Sequence, residues 1–317
     1  MRRSAGRKTL RCFRNPIKRE EQKTKTESDK RIKCELFHDN FQNFKRYGIP
    51  KAQMVIADIP YNIGKNFYGS NPMWYKNGDN KNGESKLAKK QAFNSDFNFN
   101  IVEFFHFCNR LLKKEPNKSN GRGKSSDAPC MLVFCSFEQI PIIIQTARDY
   151  GFHKNQHLTF IKNYSPQVLK ANMRICGATE HAILLYRNRL PKFRNDRKMI
   201  FDWFEWERDN KKDYPKIHPT QKPVKLLKRL ISIYTDPGDV IVDPCAGSGA
   251  TLRAAYEIGR NSYGFEIDKN FYQNACSKML ALKDLYKKDE IKQECLFDLE
   301  EIKNESLNSL RGIAGGL

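Results

Sequence analysis

The sequence predicts an α/β protein: a doubly wound, mostly parallel sheet with polar segments inserted between its elements. Two observations carry that reading. Short apolar runs of strand length alternate with stretches whose apolar residues recur at helical spacing, the pattern of repeated βαβ units. One run, "VIVDPCAGSGATLRAA" (240–255), passes from strand through a Gly-rich turn straight into a helix. No internal repeat competes with it.

Residues 1–31 are polar, rich in Lys and Arg and aperiodic. They read as a basic disordered tail, either merely solvated or a nucleic-acid-binding arm. The folded domain is expected over 32–286. "IKCELFHDNFQNFKRYGIP" predicts a short strand ending near Asp39, then a short helix closed by Gly48, which suits a helix C-cap. "QMVIADIPY" is a strand and the loop at its C-terminal end. Residues 66–100, rich in Asn, Gly and Lys, are too long for an ordinary connection. Ile101, Phe104, Phe105, Cys108, Leu111 and Leu112 fall at helical spacing. A second polar insert, 113–128, precedes the buried strand "CMLVFC" and a helix over about 138–149 that stops at Gly151. "HLTFIKN" and "HAILLYR" are strands. Residues 187–217 mix Arg187, Arg189, Lys192, Arg194 and Arg197 with Phe201, Trp203, Phe204 and Trp206. "PVKLLKRLISIYT" is a helix with Pro223 near its start, "NSYGFEID" a strand, 269–286 a last helix, and 287–317 a loose tail.

Lys and Arg number 57 against 36 Asp and Glu, a formal charge of +21 over 317 residues. That excess points to a polyanionic partner, nucleic acid before an anionic membrane surface. No run approaches the roughly 18 apolar residues of a membrane span, and the basic N-terminus lacks an apolar signal core. A cytoplasmic protein is expected, bacterial or phage-encoded and nucleoid-associated. Nine scattered cysteines form no C-x-x-C pair, so free thiols are expected rather than disulfides, and no metal.

The Gly-rich turn carries the most chemistry. Its strand delivers Asp243, Gly247 and Gly249 let the backbone approach a ligand closely, and the next helix points its N-terminus at that place. There is one G-x-G, no Lys after it and an acid before it, unlike a dinucleotide or phosphate loop. The acid suits an ammonium group rather than a phosphate. Glu266, ending the next strand about twenty residues on, suits the two hydroxyls of a ribose. Acid, turn and ribose acid together fit S-adenosylmethionine better than NAD or ATP.

"DIPY" (58–61), "HPTQKPVKLLKRLI" and "DPGDVIVDPCAGSGAT" together resemble the signatures D-P-P-Y, H-x-T-Q-K-P and D-P-F-x-G-S-G-T of the DNA amino-methyltransferases. The resemblance covers about 34–285, and the catalytic motif precedes the cofactor motif, as in the family's permuted beta group. It implies the S-adenosylmethionine-dependent methyltransferase fold with inserted DNA-recognition segments. It also implies methyl transfer to an exocyclic amine of a flipped base. It places Asp243, Pro244, Cys245, Gly247, Ser248 and Gly249 around the cofactor, with His218, Thr220, Gln221 and Lys222 beside its methionine part and Asp39 at its adenine. Cys245 stands where the family has Phe, and Ile59 where it has the first Pro.

In that setting the acid that ends an apolar strand has a chemical use. The amino nitrogen of adenine is a poor nucleophile until two acceptors take its N–H groups and stabilise the charge that builds on it. Asp58 can supply one acceptor and the Ile59 carbonyl the other. Pro60 holds Ile59 extended, and Tyr61 can stack on the base. Since only the Ile59 carbonyl is used, Ile for Pro is expected to be tolerated.

Loop 66–100 and segment 187–217 are the expected DNA readers, the latter alternatively a packed subdomain with Trp203 and Trp206 as core. The expected partner is double-stranded DNA; a homodimer and a partner nuclease, as in restriction-modification, stay open. Rival readings are an RNA adenine enzyme, a cytosine amino-methyltransferase, which in the permuted groups usually carries Ser at position 58, and a basic nucleic-acid-binding protein without activity.

Overall fold

The computed structural model describes residues 32–61, 99–117, 126–165 and 175–281. Both expected tails, nearly all of loop 66–100 and residues 282–286 of the expected last helix lie outside them.

Among the described residues eight strands form one sheet: β1 (Cys34–Phe37), β2 (Met54–Asp58), β3 (Cys130–Cys135), β4 (Lys154–Lys162), β5 (Thr179–Tyr186), β6 (Trp203–Trp206), β7 (Val240–Asp243) and β8 (Asn261–Phe265). Their order is β1-β8-β7-β2-β3-β5-β4-β6. The strands from β1 to β3 are mutually parallel, β5 runs antiparallel to both β3 and β4, and β6 pairs parallel with β4. From β7 the chain moves to β8 on one side; from β2 it moves to β3 on the other. The crevice between β7 and β2 is thus a topological switch point, where open α/β sheets bind ligands.

Helices cover both faces. Helix α1 (Ile101–Leu111) begins because Asn100 accepts from the Val102 and Glu103 amides, and it buries Phe104, Phe105, Cys108 and Leu111. With α2 (Ile140–Asp149) it packs on the face carrying Val55, Ala57, Met131 and Val133. On the other face α3 (Val224–Tyr234), opened by Pro223, and α4 (Ala250–Glu257) cover Met54, Ile56, Leu132 and Phe134. Consecutive residues of β2 and β3 thus go to opposite cores, as a sheet buried on both sides requires. Close approach of α4 to the sheet needs Gly264 on β8. A Cβ there would stand 2.7 Å from Leu252 Cδ1 and 3.1 Å from Ala246 Cβ. Gly264→Ala is expected to destabilise by about 1–3 kcal/mol through overpacking, read from denaturant unfolding.

Several expectations shift in detail. The first strand ends at Phe37, two residues before Asp39, and the short helix after it is a 3-10 helix over Phe41–Arg46. The last helix is α5 (Lys269–Asn274), capped by Asp268, continuing as a π-turn over Ala275–Met279. In segment 187–217 the aromatics divide: Phe204 and Trp206 are buried in the core, while Trp203 is 45% exposed and stacks on exposed Phe201. The basic residues before them are largely engaged at the N-terminal edge of the parallel strands. Lys192 pairs with Asp236 and Asp239, Arg194 with Asp236 and Asp127, and Arg187 reaches Asn109. Those charges staple the segment to the body on the side away from Asp58. No helix among the described residues is long and apolar enough to cross a membrane.

Candidate active site

The C-terminal ends of β7 and β8 build the first half of the site. Asp243 is buried at the end of β7, and its Oδ1 accepts from the Cys245 amide at 3.0 Å. The chain then turns through Pro244 and Cys245 to Gly247 and Gly249, at φ +51° and +74°, a region that Gly enters without penalty. Glu266, just past β8, locks that turn: Oε2 accepts from the Gly247 amide at 2.8 Å and Oε1 from the Asp268 amide at 2.7 Å. Burial pushes both carboxyls up to about 7. Buried Ser248 completes the turn.

His218 covers it. Its ring lies 3.8 Å from where a Cβ on Gly247 would sit and packs edge-on to Phe271 at 4.3 Å between centroids. Burial, with Lys222 adding to it, pushes the imidazole down to about 4, so the ring is neutral at pH 7. Its Nδ1 accepts from the Thr220 amide at 3.3 Å, leaving Nε2 to carry the proton. Gln221 holds its own loop, accepting from the Ile217 amide and donating to the Pro215 carbonyl. Asp39 lies beyond β1, beside the end of β8, since the Glu266 amide donates to Phe37 O. Its carboxylate accepts from the Asn40 amide, Asn43 Nδ2 and Tyr47 Oη, each at 2.7 Å. Those contacts, the Tyr47 hydroxyl foremost, hold it below the usual carboxylate range.

A pair of buried acids beside two left-handed glycines is a poor cradle for phosphate and a good one for a cationic ligand with a ribose. These residues fit S-adenosylmethionine on that ground.

The second half stands one strand away. Asp58 ends β2, and its Oδ2 is 2.6 Å from Lys222 Nζ. Its Oδ1 is buried and has no hydrogen-bond partner among the described residues. Burial pushes this carboxyl up, Lys222 pulls it down, and Glu180 adds to the rise. Gln139 Nε2 donates to the Pro60 carbonyl at 2.8 Å and pins the turn. Tyr61 Oη donates to Glu180 Oε2 at 3.2 Å. Ile59 is not a spectator: its side chain is 2% exposed in the core under α1, and its amide donates to Phe134 O at 3.3 Å. Tolerance of Pro in methyl transfer remains the expectation, while these amide and side-chain contacts add a separate cost in stability. Ile59→Pro is expected to cost about 1–3 kcal/mol, from the lost hydrogen bond and the lost packing, measured by thermal unfolding.

The structure thus gathers Asp243, Pro244, Cys245, Gly247, Ser248, Gly249, Glu266, His218 and Thr220 around one turn, and Asp58 to Tyr61 beside it. Lys222 lies against Asp58, with its Nζ 2.6 Å from Oδ2. Gln139 and Glu180 touch the 58–61 turn, and Lys162 and Trp206 reach it through Glu180 and Lys222, without any motif announcing them.

The family model described as DNA methylase, for the N6 and N4 enzymes, matches residues 52–277. The chain is 27% identical over 246 residues to the DNA adenine methyltransferase YhdJ of Escherichia coli K12, covering 74% of this chain and 78% of that protein. It is 24% identical over 269 residues to the type II methyltransferase M.HpaI of Haemophilus parainfluenzae, covering 79% and 74%. Two solved structures share the fold. The M1.HpyAVI–SAM complex matches at TM-score 0.53 and 22% identity, over 76% of this chain and 97% of that one. The PvuII DNA methyltransferase, cytosine-N4-specific, matches at 0.54 and 15%, over 76% and 84%. With its Gly turn, the Asp58 end of β2 and most of its length inside the match, the chain belongs to the N6/N4 DNA methylase family.

Proposed function

We propose that the chain methylates the exocyclic amine of adenine in double-stranded DNA, with S-adenosylmethionine as methyl donor. The observation that carries this reading is the buried Asp58 Oδ1, without a partner among the described residues, beside an Oδ2 already held by Lys222. A buried acceptor left unmet costs about 1–3 kcal/mol, and the N–H of a flipped base entering the switch-point crevice would satisfy it. The carboxylate at this position and the adenine-methylating relative both favour adenine over cytosine.

The cofactor supplies an electrophilic methyl on a sulfonium. Asp58 Oδ1 and the Ile59 carbonyl accept the two N–H groups of the amine, which localises the nitrogen lone pair toward that methyl. Asp58 also stabilises the positive charge on nitrogen as the N–C bond forms and the S–CH3 bond breaks; the donor leaves as its neutral thioether, S-adenosylhomocysteine, and the excess proton passes to water afterwards. Tyr61 stacks on the base, which must leave the duplex to arrive there. Asp243 and Glu266 hold the donor.

The test is product identity. Duplex DNA is incubated with the protein and methyl-labelled S-adenosylmethionine, digested to nucleosides and resolved by mass spectrometry, with structured RNA in parallel. N6-methyladenine from DNA is expected; N4-methylcytosine, or label in RNA alone, would overturn the assignment.

The two raised carboxyls set a pH dependence. A bound cation favours their ionised forms, so cofactor affinity should rise from about pH 6 to about pH 8 as Asp243 and Glu266, both near 7, ionise. The sign for the free protein is opposite. Raised native carboxyls mean that the folded state binds more protons than the unfolded one between about pH 4 and 7, so its stability falls as pH rises through that window. Calorimetric titration and melting at several pH values check both; a flat affinity would remove the two acids from the donor's surroundings.

A further inference from the structure

We propose that Glu180, acting through Lys222 and Tyr61, is a positioning residue for methyl transfer: it anchors the lysine that clamps one Asp58 oxygen and leaves the other facing the base. This rests on the transfer role given to Asp58 above.

The argument begins with Lys222. Its ammonium has three N–H groups and no acceptor. Three acceptors surround it: Asp58 Oδ2 at 2.6 Å, Glu180 Oε2 at 3.1 Å and Tyr61 Oη at 3.5 Å. The Phe134 and Trp206 rings lie 5.2 and 5.6 Å from Nζ and close the remaining directions, within the range at which a ring attracts a cation. Among the described residues these contacts engage all three donors of Lys222. It belongs to the catalytic turn.

Glu180 stands behind it. This residue lies on β5, paired with Phe160 of β4 and two residues before Ala182, which pairs with Phe134, the β3 partner of Asp58. Glu180 Oε1 meets Lys162, and Oε2 meets both Lys222 and the Tyr61 hydroxyl. Lys162 in turn sits 4.6 Å over the Trp206 ring. One carboxylate therefore reaches the clamp on Asp58 and the ring expected to stack on the base. Two acids and two lysines also balance in charge, so the loss of either acid leaves an ammonium underpaired in a buried site.

Stability alone does not explain the set. Buried ion pairs contribute little net stability, because removing their charges from water offsets their attraction. These four charges lie at the C-terminal end of β2, beside the buried Asp58 Oδ1 that has no partner among the described residues, where small displacements of an acceptor are expensive in rate.

The experiment uses the full chain on duplex DNA carrying whichever base the parent methylates. Glu180→Gln is expected to lower kcat about ten- to hundredfold, with the KM and Kd for S-adenosylmethionine within about twofold. Tyr61→Phe, which removes one half-buried hydroxyl, is expected to lower kcat about three- to tenfold on the same pattern, and Lys222→Arg to keep about tenfold more activity than Lys222→Met. If Glu180→Gln and Tyr61→Phe both turn over within about twofold of the parent, or if the loss falls on cofactor affinity, the inference is overturned. Should Glu180→Gln fail to fold, Tyr61→Phe and the Arg-to-Met ratio at 222 decide in the same way. Asp58→Ala runs alongside. A fully active Asp58→Ala overturns the underlying mechanism, whereas an inactive one beside unimpaired Glu180→Gln overturns this inference alone.

Discussion

Asp58→Ala should lower single-turnover methyl transfer by about a thousandfold or more while leaving cofactor affinity intact. Losing one preorganised partner of a developing charge costs about 2.7–4 kcal/mol, a factor of 10²–10³. Here the same change also frees Lys222, whose ammonium would be left with Glu180 and Tyr61 and could swing into the space that the amine needs. The cofactor side has a definite sign. The Asp58 charge contributes to the rise of the Asp243 carboxyl, so removing it should let Asp243 ionise more readily and hold a cation as well or better. Rapid-quench transfer and calorimetric binding on one preparation separate the two effects. Turnover within tenfold of the parent would end the acceptor role. Lost transfer accompanied by equally lost binding would show instead that the variant had damaged the whole crevice.

The sheet was legible because its rules are local. "CMLVFC" and "QMVIAD" are apolar on consecutive residues, as strands covered on both faces must be, and helices lie on each side of β2 and β3 as that pattern requires. The Gly turn was legible for a similar reason: Gly247 and Gly249 do adopt left-handed conformations, and Glu266 does fold back onto that turn. What stayed hidden depends on contacts across strands. Glu180 sits in "TEHAILLY" like any polar residue near a strand start, and only the antiparallel register of β5 on β3 brings it to Asp58. Lys222 lies in a cofactor-like motif, and no local pattern shows that its side chain meets Asp58. The basic residues of 187–198 look in sequence like a nucleic-acid stripe. The pairing of Lys192 and Arg194 with Asp127, Asp236 and Asp239 needs partners at least 42 residues away, which no local pattern displays. Ile59 shows the same limit in reverse: a motif position suggested only a carbonyl, and burial gave the side chain a packing role as well.

Glu266→Ala should do to binding what Asp58→Ala does to chemistry. Glu266 has two engaged oxygens, one on the Gly247 amide and one on the Asp268 amide, and it is the acid proposed to receive the ribose. Hydrogen bonds to a charged group are worth about 1.5–3 kcal/mol each, so losing the ribose contacts alone should weaken S-adenosylmethionine about a hundredfold or more. Loss of the Gly247 contact adds to this by releasing a turn that must hold φ +51°. Glu266→Gln separates the contributions. Its amide oxygen can still accept from one backbone N–H, so the turn should persist, while the negative charge and one acceptor are gone. An intermediate loss of about tenfold is expected for Gln, with the rise of affinity between pH 6 and 8 reduced because only Asp243 remains to ionise. For both variants transfer at saturating cofactor should stay within about tenfold of the parent, since Asp58 is untouched. Equal affinities for Ala, Gln and parent would remove Glu266 from the cofactor site and leave it as the strut of the Gly turn. Affinity lost in both together with transfer lost at saturation would mean that the two halves of the crevice are coupled through the 247 turn and His218, and that the separation of binding from chemistry fails.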